Sequence, residues 1–372
     1  MKEGWEYKKL GEVCELTMGQ SPNSESYNKN GDGIPFFQGC SDFGVIHPQV
    51  TTFCNAPNKI AYPYDILMSV RAPIGTLNIA DVKCCIGRGL AAFKEKKGVS
   101  IHKWIYYFLL SSQRDLQNKG TGATFKAIGK ELIKNYPVHI PPLSEQQHIV
   151  EELDLLSSII EKKKAQLNEL DNLAQSLFYE MFGSPTGNEK GFPLLTVNDV
   201  IRFEGGSQPP KTSFEYTPTP DNVRLIQIRD YKTDAYITYV PKKLARKFCD
   251  EDDIMIGRYG PPIFQILKGI CGAYNVALMK AVPLKGNKEF IRAYLKQKCL
   301  LHYLETFSRR VAGQDGIQMD KLKAYPFPYP PINLQNQFAS KIQAIEHQKE
   351  LIKQSIKEVE TLFNSRMDDY FN

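Results

Sequence analysis

The sequence predicts an α+β protein written twice: two mixed α/β domains separated by an antiparallel two-helix coiled coil, related by a pseudo-twofold internal repeat. Three observations carry this expectation. The stretch "NYPVHIPPLSEQQHIVEEL" returns near the end as "AYPFPYPPINLQNQFASKI", so that Tyr136, Pro137, Pro141 and Pro142 recur as Tyr325, Pro326, Pro330 and Pro331 at a constant offset of 189. Close to the start of each half, Trp5, Leu10, Glu12 and Val13 match Phe192, Val197, Asp199 and Val200 at an offset of 187. The halves therefore differ only by small net loop changes, as expected of a duplicated structural unit. Finally, an apolar heptad runs for about 40 residues after each double proline.

Each half repeats one order of elements. Short strands come first: "GIPFFQG", "DILMSV" and "KNYPVHI" in one half, "VRLIQIRD", "DIMIGRY" and "AYPFPYP" in the other, separated by Gly, Pro, Asn and Asp. The apolar stretches "IHKWIYYFLLSS" and "FIRAYLKQKCLLHYLETF" each read as one helix. Prolines then hold the chain extended, because each fixes its own φ and disfavours the helical region for the residue before it. Ser144 and Asn333 follow as N-caps, with Gln147 at the capping-box position of the first copy. These signals divide the chain into a first domain over 1–143, a helix over 144–183, a second domain over 184–332 and a helix over 333–372.

The first helical seam is Ile149, Leu153, Leu156, Ile160, Leu167, Leu170, Leu177 and Met181, with Lys163 and Ala174 in the same series. The second is Phe338, Ile342, Ile345, Ile352, Ile356, Val359 and Phe363, with Lys349 in register. A polar residue at such a position sets register more often than it binds a ligand. Helices of this length, with charged flanks, are expected to pack on each other; antiparallel pairing would put the two domains at opposite ends of a rod.

Composition narrows the function. The chain has 372 residues, 42% of them hydrophobic, ample for buried cores. Nothing approaches a membrane-spanning run, and a cytoplasmic protein is expected. Eight cysteines show no CxxC pair and no regular spacing, so neither metal site nor disulfide framework is expected. A net charge of +6, from 47 basic and 41 acidic side chains, suits a polyanion partner without requiring one. Phosphate loops, HExxH and the nucleophile elbow are all missing. "FKEKKG" and "CDEDDIM" read as a chance pattern and a solvated turn, so the chain itself is expected to do no chemistry.

At "IPPLSEQQHIVEEL" (Ile140 to Leu153) the sequence resembles the specificity subunits of type I restriction-modification systems, whose helical regions open with proline-proline-leucine-x-glutamate-glutamine. The second copy keeps the double proline and Gln335 but has Leu334 where the pattern has glutamate. The resemblance implies that each globular block is a target recognition domain reading one half of a split double-stranded DNA sequence. It further implies that the helices set the gap and dock two modification (methyltransferase) subunits, with restriction/translocase subunits completing the complex. Adenine methylation with S-adenosylmethionine would belong to the partner: "YPPI" and "GPPI" hold the prolines of such a catalytic motif but lack its amide or acid. No cofactor is expected in this chain. The rival reading is the recognition part of a self-contained DNA methyltransferase or nuclease.

Candidate DNA contacts lie in three loop groups, since Arg pairs bidentately with guanine and Gln or Asn with adenine. The first is Gln20, Ser21 and Asn23 against Ser207, Gln208, Lys211 and Thr212. The second is Gln38 and Arg71 against Gln227, Arg229, Arg258 and Tyr259. The third is Lys119, Thr121, Thr124 and Lys126 against Arg309, Arg310 and Gln314, in glycine-rich loops that permit close backbone approach to phosphate.

Overall fold

The computed structural model of the chain describes residues 4–122, 126–260, 262–308 and 316–371. It forms two compact units, one of residues 1–165 with 353–372 and one of residues 166–352. Each unit combines a globular block with the start of the long helix that follows it and the end of the other long helix.

In the first unit an antiparallel sheet takes the order Cys14–Met18, Leu90–Glu95, Ile66–Ser69, Leu77–Ile79. The second unit repeats that order with Ile201–Gly205, Leu278–Pro283, Ile254–Gly257 and Gln265–Lys268. Ile66–Ser69 and Ile254–Gly257 are buried along their whole length, which is why they read as unbroken apolar runs rather than alternating ones. A second sheet of short strands stands beside each, with one parallel pair, Phe36 opposite Cys85 and Leu225 opposite Ala273. The terminal extended segments also pair, Glu6–Lys9 with Pro137–Ile140 and Leu194–Thr196 with Pro326–Pro328.

The anchor near the start of each half becomes a one-turn helix, Leu10–Val13 or Val197–Val200. An acid secures its first turn: Lys9 N–H donates to Glu12 Oε2 at 2.7 Å, and Thr196 N–H to Asp199 Oδ2 at 2.7 Å. The apolar stretch of the first half forms the helix His102–Ser111, whose Trp104, Ile105, Phe108 and Leu109 enter the core with Ile66, Met68 and Phe93. Its counterpart differs from expectation, because two helices, Lys288–Leu295 and Lys298–Ser308, replace one. At the break, Gln297 Nε2 donates to Ala293 O at 3.0 Å, taking the carbonyl a continuing backbone would have used, while Gln297 N–H turns to Tyr294 O at 3.1 Å.

The long helices run Leu143–Phe182 and Ile332–Phe371, 40 residues each. At 1.5 Å per residue each is about 60 Å long. Both begin one residue before the serine and asparagine expected as caps. Pro142 O and Pro331 O accept the first amides, from Glu145 at 2.9 Å and Leu334 at 3.0 Å. Gln147 does not reach back; its Nε2 donates along the helix to Glu151 Oε1 at 2.8 Å.

The motif glutamine before it has a larger role. Gln146 is fully buried, accepts from Ile101 N–H at 3.0 Å and donates to Val99 O and Pro141 O, both at 2.9 Å. Gln335, equally buried, accepts from Asn287 N–H at 2.8 Å and donates to Pro330 O at 2.7 Å. One carboxamide thus ties the helix start to the proline strand and to the residue preceding a domain helix, in both units. Burial without these partners would be costly, so the side chain fixes a local geometry rather than adding bulk.

Within each unit the two long helices lie antiparallel. In the first, Arg366 Nε meets Glu152 Oε1 at 2.8 Å, Tyr370 OH donates to Glu152, and Lys164 faces Glu360 at 4.0 Å. In the second, Lys349 Nζ reaches Asp171 Oδ1 at 2.7 Å, and the Phe178 and Phe338 rings lie 5.7 Å apart. Every seam residue named above is buried or half-buried, with Ile149, Leu153, Leu156, Ile160, Phe338, Ile342 and Ile345 the deepest. The buried stripe nevertheless departs from a strict heptad. From Ile149 and Leu153 it arrives, 29 residues on, at Phe178 and Phe182 rather than at Leu177 and Met181. The same step leads from Phe338 and Ile342 to Met367 and Phe371. Twenty-nine residues are eight turns of an ordinary helix, and a straight helix drifts from a 3.5 repeat by ~20° per heptad.

Candidate nucleic-acid interface

In each unit the loop following the first sheet strand is pinned to a distant loop by two backbone hydrogen bonds. Gly19 N–H donates to Leu90 O at 2.9 Å and Gln20 N–H to Ile86 O at 3.0 Å; Gly206 N–H donates to Leu278 O and Ser207 N–H to Tyr274 O, both at 3.1 Å. Glycine is required there by close approach. A Cβ on Gly19 would stand 2.1 Å from Gly87 O, and one on Gly206 1.9 Å from Asn275 O.

This closure gathers the first unit's candidates at one end of the sheet. Ser21, Asn23 and Gln38 line an open cleft together with Tyr27, Asp42 and Arg88. Gln38 Nε2 donates to Ser21 Oγ at 3.0 Å, and the same hydroxyl receives Arg88 N–H at 3.3 Å. Gln38 N–H donates to Asp42 Oδ2 at 2.6 Å, which holds the strand end in its turn. Gly87 and Gly89 both press on Gln38, whose side chain and carbonyl would lie 2.7 and 2.5 Å from added Cβ atoms. Gln20 is exposed beside the cleft.

A second group forms at the same strand ends. Arg71 and Thr121 each pair with Ala127 in isolated bridges, and Ala72 N–H donates to Lys126 O at 3.2 Å. Exposed Arg71, Thr121 and Lys126 are thereby brought together. Lys119 instead faces Asp115 at 3.0 Å, its partner one helical turn back. Thr124 lies outside the described residues.

The second unit uses the same frame with different side chains. Gln227 ends its strand as Gln38 does, donating its N–H to Asp230 Oδ2 at 3.1 Å and its Nε2 to Thr238 Oγ1 at 3.1 Å. Arg229 reaches the same hydroxyl at 3.1 Å and lies 5.7 Å from the centre of the exposed Tyr236 ring. Burial raises the Asp230 carboxyl above its ordinary range, against the opposing pull of Gln227 N–H, Arg224 and Arg229. Arg258 sits 5.2 Å from the Tyr259 ring, and Tyr259 pairs with Gly316 as Arg71 pairs with Ala127. Ser207 is half-buried, while Gln208, Lys211 and Thr212 are exposed. Arg309, Arg310 and Gln314 lie outside the described residues.

Sequence reasoning missed Arg88. The signal was present as Gly87–Arg88–Gly89, a cation between two residues that allow close packing, but only folding sets it against Ser21 and Gln38. Among the described residues no group of three or more His, Cys, Asp or Glu could hold a metal ion, and no helix is long and apolar enough to cross a membrane.

A frame repeated twice, with unlike polar side chains at equivalent loop ends, is suited to reading two different short sequences. Comparison with known proteins bears on this. A family model described as the type I restriction modification DNA specificity domain matches residues 2–172 and again 190–361. The MjaX specificity subunit of a type I restriction enzyme from Methanocaldococcus jannaschii is 40% identical over 177 residues, 47% of this chain and 42% of that protein. The MjaIX specificity subunit from the same organism is 24% identical over 278 residues, 62% of this chain and 64% of its own length. The matches thus span about two fifths to two thirds of the length of these relatives. The crystal structure of a type I system S subunit from M. genitalium, 14% identical, covers 98% of this chain and 95% of its own, with a TM-score of 0.61, a likeness of fold.

Proposed function

Because the chain belongs to the type I restriction-modification DNA specificity domain family, we propose that it is the noncatalytic subunit that reads a bipartite double-stranded DNA target for such a complex. The blocks over 1–143 and 184–332 each read one half-site, and the helices over 144–183 and 333–372 set the gap and dock two modification subunits. Adenine methylation with S-adenosylmethionine, and cleavage where a restriction/translocase subunit is present, are done by partners in the cytoplasm.

One observation supports this reading above the others: the same glycine-pinned loop end recurs in both units, with Ser21, Gln38 and Arg88 lining one cleft in the first and Ser207 on the matching loop of the second. Side chains able to discriminate base edges, cationic ones among them, stand on loop ends fixed by backbone hydrogen bonds to distant segments.

The test is to map N6-methyladenine in DNA exposed to this chain together with its cognate methyltransferase. A split motif with a constant gap is expected, along with binding that weakens steeply as salt rises. Methylation by the purified chain alone, or binding indifferent to salt and sequence, would overturn the proposal.

A further inference from the structure

At the ends of their main sheets the two units share a set of backbone hydrogen bonds. Ser69 opposes Leu90, and Gly257 opposes Leu278. The next residue on each strand then makes the same bond, Val70 N–H to Gly89 O at 2.9 Å and Arg258 N–H to Ala277 O at 2.9 Å. The facing loop is anchored alike as well, Gly87 N–H to Phe37 O at 2.8 Å and Asn275 N–H to Ile226 O at 3.0 Å. Val70 and Arg258 are therefore equivalent, and so are Arg88 and Val276.

At this pair of positions the first unit has valine on the strand and arginine on the loop; the second has arginine on the strand and valine on the loop. The exchange keeps one arginine at this pair of positions in each unit. Arg258 Nη1 reaches across to the backbone carbonyl of Val276 at 3.4 Å, on the loop where the first unit has Arg88. Neither arginine has a carboxylate within ion-pair distance among the described residues, whereas Arg224, Arg229 and Arg292 each do. Ser21 and Gln38 line the cleft with Arg88, and in the second unit Gln227 ends the strand that corresponds to the one ended by Gln38. Asp42 lines the cleft of Arg88 but accepts from Gln38 N–H and Gly39 N–H; a guanidinium with no carboxylate within ion-pair distance suits a planar partner with two acceptors.

We propose that each unit reads one guanine with a single arginine, Arg88 in the first and Arg258 in the second. This rests on the DNA-recognition reading above and names one base in each half-site. The planar fork of N–H donors matches guanine O6 and N7 with a fixed geometry that an ammonium, a point charge with rotating donors, lacks.

The full chain, Arg88→Ala and Arg258→Ala are each used to select bound duplexes from a random-sequence pool. The wild type is expected to enrich a split motif with a guanine in both halves. Each variant is expected to enrich the same motif with one guanine made degenerate, in a different half for each. A duplex with 7-deazaguanine at that position should bind the wild type about tenfold more weakly and the matching variant no more weakly than before. Arg88→Lys should retain a weaker preference for guanine at that base, and Arg88→Ala none. An unchanged motif overturns the inference, as does uniform weakening on all sequences with a shallower salt dependence, which marks a phosphate contact. If the wild type selects no split motif, the DNA-recognition reading itself falls. Melting curves check folding; should Arg258→Ala be unfolded, Arg258→Lys takes its place, and exposed Arg88 decides independently.

Discussion

The indole Nε1 of Trp5 donates to Oε1 of Glu145 at 3.0 Å, joining the start of the first block to the opening turn of its long helix. The equivalent residues of the second unit are Phe192 and Leu334, both packed against that unit's core. The departure from the helical motif at Leu334 is thus half of a paired exchange: where the ring has no N–H, the helix has no acceptor. Replacing Glu145 by Leu alone should cost about 1 kcal/mol, and adding Trp5→Phe should cost less than the two separate changes together. A double-mutant cycle by denaturant unfolding measures the difference; strict additivity would deny the coupling.

Gln146→Met should be among the most damaging changes outside the apolar core. It leaves Ile101 N–H, Val99 O and Pro141 O without the carboxamide, at about 1–3 kcal/mol for each buried group left unsatisfied. Gln335→Met should be severe but milder, because fewer groups depend on it. Urea midpoints compare them, and a tolerated Gln146→Met would remove the glutamine's proposed hold on the helix start.

Gly19→Ala and Gly206→Ala should separate loops that now touch, since the new methyl would meet backbone rather than a movable side chain. Loss of DNA affinity by tenfold or more is expected, together with a lower melting temperature. Gly39→Ala, next to the same cleft but with open space at its Cβ, is the control and should change neither by much.

The 3.6-residue stripe makes a prediction that a strict heptad reverses. Phe178→Ala should cost about 3–5 kcal/mol, because the ring is buried among Phe182, Phe290 and Phe338. Leu177→Ala, half-buried, should cost about 1 kcal/mol. Equal losses would restore the heptad.

Alkaline stability should track the buried cysteines. Burial pushes the thiols of Cys14 and Cys84 up to about 12 from an ordinary value of 9.0. The native state therefore keeps protons that the unfolded chain releases, so their contribution is complete below pH 9 and is lost as pH rises toward 12. Unfolding midpoints from pH 8 upward should fall, and Cys14→Ala with Cys84→Ala should flatten that decline. At neutral pH a thiol reagent should modify exposed Cys271 well before either.

Much of this was legible in the residues. The anchors "LGEV" and "TVND" marked the duplication; that Glu12 and Asp199 cap a turn there was seen only in the structure. The double prolines announced the helices to within one residue. Less visible was the split of 290–307 into two helices, because Gln297 interrupts the ladder with an ordinary polar side chain. The importance of Phe178 and Phe182 was hidden by a heptad that fits the first half of the helix and slowly goes out of phase.

By itself the sequence determined the duplication, the order of elements in each half and the two long helices. These follow from local rules: prolines constrain their own and the preceding residue, and apolar spacing follows the helical period. Only the tertiary structure decided that Ser21, Gln38 and Arg88 line one cleft, that Val70 with Arg88 and Arg258 with Val276 fall on matching positions, and that each compact unit takes in the end of the other half's helix. Those outcomes depend on strand register and on close contacts between glycines and carbonyls far apart in the chain, and no local pattern of residues encodes them.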